Sequence, residues 1–332
     1  MYQRKLFSEN VSVLSCGGSG FCRAGEFGPT KPHDVLIKTV HTALNEGFNY
    51  FDTAFWYGTG YSEEVLADAL KGIPREAYRI GSKVCRYEPR ANNMFDFSFD
   101  RTLKASIASV KRLGLSYIDL LQAHDIEYAP SIDIVLNETL PALHKARTLG
   151  LTRHIGITSY SLDVLCEVLE KTNIPIDSVL TYSRYTLMDQ TLLTYIDRLQ
   201  SHNVSIISAA PFGMGLLTPK GPPRWHPASE ELKNIAISAR NLVKERGMDI
   251  CRLALNYSLS LPCLSTILVG MDDPVLPTIN SKHVQSPLSN DEWDTCNEIV
   301  DMFSSIKVPH WEGTVVDKII PLGNINKRVP RA

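Results

Sequence analysis

FNYFDTAFWYG, residues 48–58, reads as a short aromatic strand that breaks into a loop, with Asp52 near the strand's end and Tyr57 five residues later. Two further segments follow the same plan. YRIGSK (78–83) ends on Lys83, and IDLLQAH (118–124) ends on His124. Laid side by side in a parallel sheet, these strands would bring Asp52, Tyr57, Lys83 and His124 together at one end of it.

The alternation extends along the chain in both directions. Strand-like segments occur at VSVLSC (11–16), FNYFDT (48–53), YRIGSK (78–83), YIDLLQ (117–122), RHIGIT (153–158), SVLTYS (178–183), VSIISAA (204–210) and STILVG (265–270). Helical patterns lie between them. HDVLIKTVHTALNEG (33–47) has Val35, Leu36, Val40 and Leu44 on one stripe and Gly47 as a stop; FDRTLKASIASVKRLG (99–114) is another. A third, IDIVLNETLPALHKARTLG (132–150), carries Pro141, which is placed to kink it. Eight strands, each followed by a helix, predict an α/β fold: a (β/α)8 TIM barrel rather than an open doubly wound sheet. MYQRKLFSEN (1–10) is expected to add a short hairpin under the barrel. PFGMGLLTPKGPPRWHPA (211–228) is expected to form a long loop at the C-terminal face, a candidate lid. With no break in composition, residues 1–332 are expected to form one domain. Its barrel core spans about 8–285, and a C-terminal helix and tail cover 286–332.

Bulk properties exclude several function classes. A net charge of −2 gives no electrostatic case for nucleic acid or an anionic membrane. The seven cysteines (Cys16, Cys22, Cys85, Cys166, Cys251, Cys263, Cys296) form no CxxC pair and no zinc spacing, which predicts free thiols and no metal site. The N-terminal segment lacks an apolar signal core, and no run approaches the ~20 apolar residues of a membrane span. A cytoplasmic protein is expected.

A tyrosine beside a lysine beside an aspartate can exchange protons. The ordinary phenol pKa is about 10, and a neighbouring ammonium favours the phenolate. Each residue alone has a blander reading: Asp52 and Lys83 as a structural ion pair, Tyr57 as a rim aromatic, His124 as a structural histidine. Polar groups at the C-terminal ends of barrel strands read as catalytic, because the loops there form the large concavity. The quartet therefore points to an oxidoreductase of carbonyls and alcohols.

FDTAFWYGTGYSEEVLADAL (51–70), SKV (82–84), LLQAHD (120–125) and HIGITS (154–159), in that order, resemble the aldo-keto reductases over roughly residues 8–285. HDIEY (124–128), GMGLLT (213–218), GPPRWHPASEELK (221–233) and LALNYSL (253–259) are similar to the subgroup of L-galactose dehydrogenases and NAD-linked aldose 1-dehydrogenases. The resemblance implies that Tyr57 exchanges the proton, Lys83 activates it, Asp52 holds Lys83, and His124 orients the substrate oxygen. It implies cofactor positions at Gly18 and Ser19 after the first strand, at Asp52, and at Pro211, Gly213, Gly215 and Leu216 in the long loop. Further positions fall at Gly270, Met271, Asp272 and Asn280, after the eighth strand. Thr158 and Ser159 stand where most relatives hold the nicotinamide carboxamide with Ser-Asn, Tyr182 where most have glutamine, and Ala209 where a stacking tyrosine is usual. No GxGxxG occurs, and the family binds its dinucleotide without one. Trp225 and Trp311 are candidate sugar-stacking rings, with loop or core packing as the alternative.

NADP-selective members carry Lys and Arg where this chain has Gly270 and Leu276, with Asp272 and Asp273 between. The expected cofactor is therefore NAD, with NADP possible through Lys282 or Arg224. The expected activity is oxidation of C1 of an aldose such as L-galactose, L-fucose or D-arabinose to the lactone. The alternatives are an NADPH-dependent aldehyde or ketone reductase and a non-catalytic nucleotide-sensing subunit; the intact quartet argues against the latter. A small sugar or aldehyde is the expected partner, with no nucleic acid or membrane, and the chain is expected to be a monomer or weak homo-oligomer.

Overall fold

The computed structural model describes residues 1–22, 31–88 and 93–312. Of the C-terminal helix and tail expected over 286–332, the part from 313 onward lies outside the described residues. Eight strands close into an all-parallel barrel: β3 (Leu14–Gly17), β4 (Tyr50–Asp52), β5 (Arg79–Val84), β6 (Ile118–Ala123), β7 (Thr152–Ser159), β8 (Ser178–Tyr182), β9 (Ser205–Ala209) and β10 (Leu264–Gly270). They pair in chain order, and β10 closes the ring between β9 and β3.

One predicted strand divides in two. VSVLSC (11–16) contributes its first residues to an antiparallel hairpin, β1 (Gln3–Leu6) with β2 (Glu9–Ser12), and its last to β3. The hairpin caps the barrel floor. Leu6 and Val11 join Tyr50, Leu120, Leu180, Ile207 and Leu268 in the apolar filling of the barrel. Arg4 donates to the carbonyls of Leu259, Leu261 and Leu264, which ties the hairpin to the entry of β10.

Helices α1 (His33–Asn45), α2 (Tyr61–Leu70) and α3 (Phe99–Arg112) follow the expected pattern of one buried stripe each. The third predicted helix is interrupted. It runs as α4 (Ile132–Ile134), a π turn (Val135–Thr139) and α5 (Leu140–Thr148). Pro141 sits at the start of α5 with no N–H to give, and the widened turn before it accommodates the missing bond. The remaining described helices are α6 (Leu162–Lys171), α7 (Ile196–Gln200), α8 (Glu230–Glu245), α9 (Ile250–Leu259), α10 (Val275–His283) and α11 (Asn290–Ser304). A Ser289–Glu292 capping box starts α11, which packs with α8 and α9 in a second apolar cluster outside the barrel repeat. No helix among the described residues is long and apolar enough to cross a membrane.

Strand order places the quartet. β4, β5 and β6 are adjacent, so Asp52, Lys83 and His124 lie on neighbouring strand ends. Asp52 is in register with Gly81, and Lys83 with Gln122. A Cβ on Gly81 would fall 2.1 Å from the Tyr50 hydroxyl oxygen and 3.1 Å from Asp52 Oδ2, so only glycine lets these side chains cross the strand there.

Candidate active site

Lys83 is almost fully buried, and its ammonium donates to Asp52 Oδ1 and to the Thr53 carbonyl, the latter at 2.9 Å. Gln122, on β6, donates to Asp52 Oδ2 at 3.4 Å. The Lys83 Nζ lies 5.1 Å from the centre of the Tyr57 ring. The His124 ring meets that of Tyr57 edge-on, with centres 5.8 Å apart. All four residues singled out from the sequence therefore come together. Tyr57 arrives from the loop after β4, which is folded by hydrogen bonds from Gly60 to Phe55 and from Ser62 to Tyr57.

The electrostatics depart from expectation at one point. Lys83 was expected to draw the Tyr57 phenol down toward neutral pH, yet burial holds that phenol well above its usual value. The nearby charges of Asp52 and Asp125 add to the rise, and Arg86 opposes it. The reason is geometric: the Lys83 charge is spent on Asp52 within hydrogen-bond contact, so little of it is left uncompensated at the ring. Burial also raises Asp52, with Lys83 and Gln122 offsetting part of the effect. Burial lowers His124 to about 3, leaving a neutral imidazole at any ordinary pH. Its Nδ1 has no hydrogen-bond partner among the described residues. Such a ring can give or accept one hydrogen bond at a substrate oxygen.

Several neighbours escaped the sequence reading. Arg86 pairs with Asp125 at 2.6 Å and lies 4.2 Å over the Trp56 ring, walling one side of the His124 pocket. The Asp125 N–H donates to Thr158 Oγ1 at 2.9 Å, so β6 and β7 are locked at their ends. Cys85, Asp125, Ser183 and Ala210 all have positive φ (81°, 53°, 58° and 59°). Each follows a barrel strand within two residues, and none is glycine. Backbone strain of this kind gathers where a scaffold holds functional groups. The sequence carries only a faint signal of it, because aspartate alone among the four tolerates such angles well.

Apart from Asp52, the candidate cofactor residues at or just after strand ends fall on the other five strands. Gly18 and Ser19 follow β3, Thr158 and Ser159 end β7, Tyr182 ends β8, Ala209 ends β9, and Gly270 to Asp272 follow β10. Because β7, β8, β9, β10 and β3 are consecutive around the ring, these residues form one arc facing the quartet. Its hydroxyls suit a carboxamide, and Ala209 puts only a methyl group at the end of β9. Asn280 is buried in α10. Lys31, unforeseen from the sequence, pairs with Asp273 at 2.8 Å beside Asp272.

The long loop is pinned rather than loose. His226 Nδ1 accepts from the Ala228 N–H at 3.1 Å, so its Nε2 carries the proton and donates to the Gly213 carbonyl at 3.1 Å. Arg240 donates to the Leu216 carbonyl at 2.7 Å. Gly215 is at φ 99°, and a Cβ there would meet the Gly221 carbonyl oxygen at 3.0 Å. Pro211 opens the loop as a buried residue, and Trp225 is partly exposed within it. Trp311 is buried, with its ring edge-on to His226 at 4.7 Å and to Tyr182 at 6.4 Å. Packing thus accounts for Trp311, and its contact with Tyr182 also sets it beside the arc.

Comparison with known proteins agrees with this architecture. Residues 15–301 match the model of the aldo/keto reductase family. The chain is 41% identical over 273 residues to L-galactose dehydrogenase of Arabidopsis thaliana, covering 81% of this chain and 83% of that one. It is 30% identical over 264 residues to D-arabinose 1-dehydrogenase of Saccharomyces cerevisiae, covering 76% of each. The holo form of an aldo-keto reductase from Bacillus halodurans superposes with a TM-score of 0.74 at 26% identity, covering 90% of this chain and 96% of that one. The chain belongs to the aldo/keto reductase family and is an oxidoreductase of that kind.

Proposed function

We propose that this enzyme is an NAD-linked aldose 1-dehydrogenase that oxidises C1 of a sugar such as L-galactose to the lactone. The observation that carries the reading is the buried Lys83–Asp52 pair beneath Tyr57, with neutral His124 on the ring's edge. The likeness to L-galactose dehydrogenase over most of the chain supports the sugar.

When bound, the nicotinamide supplies the two-electron acceptor. The chain's own residues manage the proton and the geometry. His124, neutral and lacking a hydrogen-bond partner on Nδ1 among the described residues, fixes the C1 oxygen. Tyr57, in its phenolate form, takes the hydroxyl proton as the C1–H bond breaks. Lys83 and Asp52 hold a fixed dipole under the ring, which costs no reorganisation during reaction. Because burial favours the neutral phenol, the proton acceptor becomes available as pH rises, so oxidation should quicken on the alkaline side. The reverse reaction, reduction of an aldehyde, uses the same groups.

NAD is favoured over NADP by the residues after β10. Asp272 and Asp273 stand where a 2′-phosphate would need cations, and Lys31 is already paired with Asp273. The test is nicotinamide absorbance with NAD⁺ and NADP⁺ across L-galactose, L-fucose, D-arabinose and simple aldehydes. Sugar oxidation with NAD⁺ is expected. Turnover of simple aldehydes alone, with NADPH, would assign the chain to the general carbonyl reductases instead.

A further inference from the structure

Beside the quartet lies a cavity of about 250 Å³ lined by Glu127, Tyr128, Tyr160, Ser161, Val164, Trp311 and Glu312. It is large enough for part of a sugar and small for a drug-sized ligand. The chain reaches it directly from the reaction centre: His124 and Asp125 lead into a 3₁₀ turn, Ile126–Tyr128, that carries Glu127 and Tyr128. On the opposite side, the Tyr160 ring packs on that of Tyr182 at 4.6 Å, and Tyr182 ends β8 at the same end of the barrel as the quartet. Cavity and quartet therefore share a wall.

Glu127 is the unexplained group there. Its Oε1 accepts from the Tyr160 N–H at 3.0 Å, while its Oε2 is buried with no hydrogen-bond partner among the described residues. A buried acceptor left unmade is costly, and natural structures seldom keep one without a use. The other carboxylate in the lining is already satisfied, since Glu312 pairs with the buried Arg184. Arg184 also donates to the Tyr160 carbonyl at 2.9 Å and to Asp189 at 3.0 Å, so that wall is fixed by ionic contacts. Two buried polar atoms of the lining then have no hydrogen-bond partner among the described residues, Glu127 Oε2 and Trp311 Nε1, and the rings of Tyr128, Tyr160 and Trp311 flank them. Carboxylate and aromatic face together are what a polyhydroxylated ligand needs: an acceptor for its O–H groups and an apolar surface for its C–H face.

We propose that this cavity is a subsite for sugar hydroxyls remote from C1, with Glu127 as the specificity-determining acceptor. The proposal rests on the sugar-dehydrogenase reading and deepens it. Glu127 makes the enzyme prefer a polyol chain over a short aldehyde that reacts at the same centre but cannot fill the cavity. Burial, with the charge of Asp125 second, raises the Glu127 carboxyl to about 7, and the Tyr160 N–H and the Ser159 hydroxyl offset part of that rise.

The test uses the full chain and two variants. Glu127→Gln keeps an oxygen for the Tyr160 N–H and turns the Oε2 position into a donor. Val164→Phe adds bulk to the cavity from α6. Calorimetric titration of each protein, saturated with NADH, with L-galactose and L-fucose reads binding apart from turnover. Steady-state assays compare sugar oxidation with propanal reduction. Wild-type protein is expected to bind the sugars, with at least about 10-fold weaker binding in both variants, the size expected for a hydrogen bond to a charged group. In Glu127→Gln the kcat/KM ratio of sugar to propanal should fall by the same factor, mostly through KM. Sugar binding in wild type without oxidation would defeat the dehydrogenase reading and leave the subsite standing. Unaltered sugar affinity in both variants would overturn the subsite, as would no sugar binding by wild type. A rise in the KM for NAD⁺ with unchanged sugar affinity would also overturn it, placing Glu127 in service of neighbouring Ser159.

Discussion

Replacing Lys83 with methionine removes one half of a pair that the fold has taken out of water. Lys83 and Asp52 are both about 2% exposed, so Asp52 would keep its charge in a site with no other cation in contact among the described residues. Breaking a buried pair in this way costs about 3–5 kcal/mol. The Thr53 carbonyl loses its donor as well, at roughly 1 kcal/mol. For a chain of 332 residues, each kcal/mol moves Tm by about 1.5 °C, so the combined loss of about 4–6 kcal/mol should lower the melting of Lys83→Met by roughly 6–9 °C. Asp52 has an escape, which is to take up a proton, and burial already pushes its pKa upward. A carboxyl whose folded pKa is raised destabilises the fold above its unfolded value and relaxes as pH falls. The deficit in Lys83→Met should therefore be largest near pH 8 and shrink toward pH 5. Asp52→Asn in the same chain should recover much of the lost stability, because the orphaned charge is gone. The assay is thermal unfolding of the parent, both single variants and the double variant at the two pH values. A Lys83→Met protein that melts like its parent at both would refute the reasoning, since the pair would then be neither buried nor costly to break.

His124 gives a second pH signature. Its imidazole stays neutral in the fold to about 3 but protonates near 6.5 when unfolded, so stability is complete above 6.5 and falls as pH drops toward 3. The full effect is roughly 4–5 kcal/mol, and urea midpoints at pH 7.5 and 4.5 should show a steeper loss in the parent than in His124→Asn. Cofactor choice is tested by kcat/KM, which should favour NAD⁺ over NADP⁺ by at least about 10-fold. Asp273→Asn, which frees Lys31, should narrow that gap, and an unchanged ratio would remove Lys31 and Asp273 from the selectivity site. Saturating NAD⁺ should slow protease nicking within 216–224, since the loop borders the cofactor arc. Equal cleavage rates with and without NAD⁺ would deny the loop a closing role.

The barrel was legible because its signals are local. Apart from VSVLSC, each predicted strand in the ring lies within two residues of the observed one at both ends. VSVLSC was read as one strand because its apolar run is continuous; what divides it at Val13 is a change of pairing partner, from β1 to β10, which no local pattern encodes. The quartet was legible because its members sit at regular strand ends. Arg86, Asp125 and Glu127 were not singled out, although HDIEY was quoted, because their meaning comes from contacts between separate strand ends. Lys31 and Asp273 lie 242 residues apart and meet only because β10 closes against β3. The downward pull of Lys83 on Tyr57 was misjudged for a related reason: sequence names the charges, but only geometry says which of them is already neutralised.

The central claim is that Tyr57 carries the proton in a sugar oxidation. Tyr57→Phe removes that hydroxyl and leaves the cofactor arc untouched, so the direct measurement is single-turnover formation of NADH with L-galactose, alongside NAD⁺ affinity, for parent and variant. The account predicts NAD⁺ affinity within about twofold and a rate lowered by ~10²–10⁴. Near-parental NADH formation by Tyr57→Phe, with NAD⁺ still bound, would contradict it.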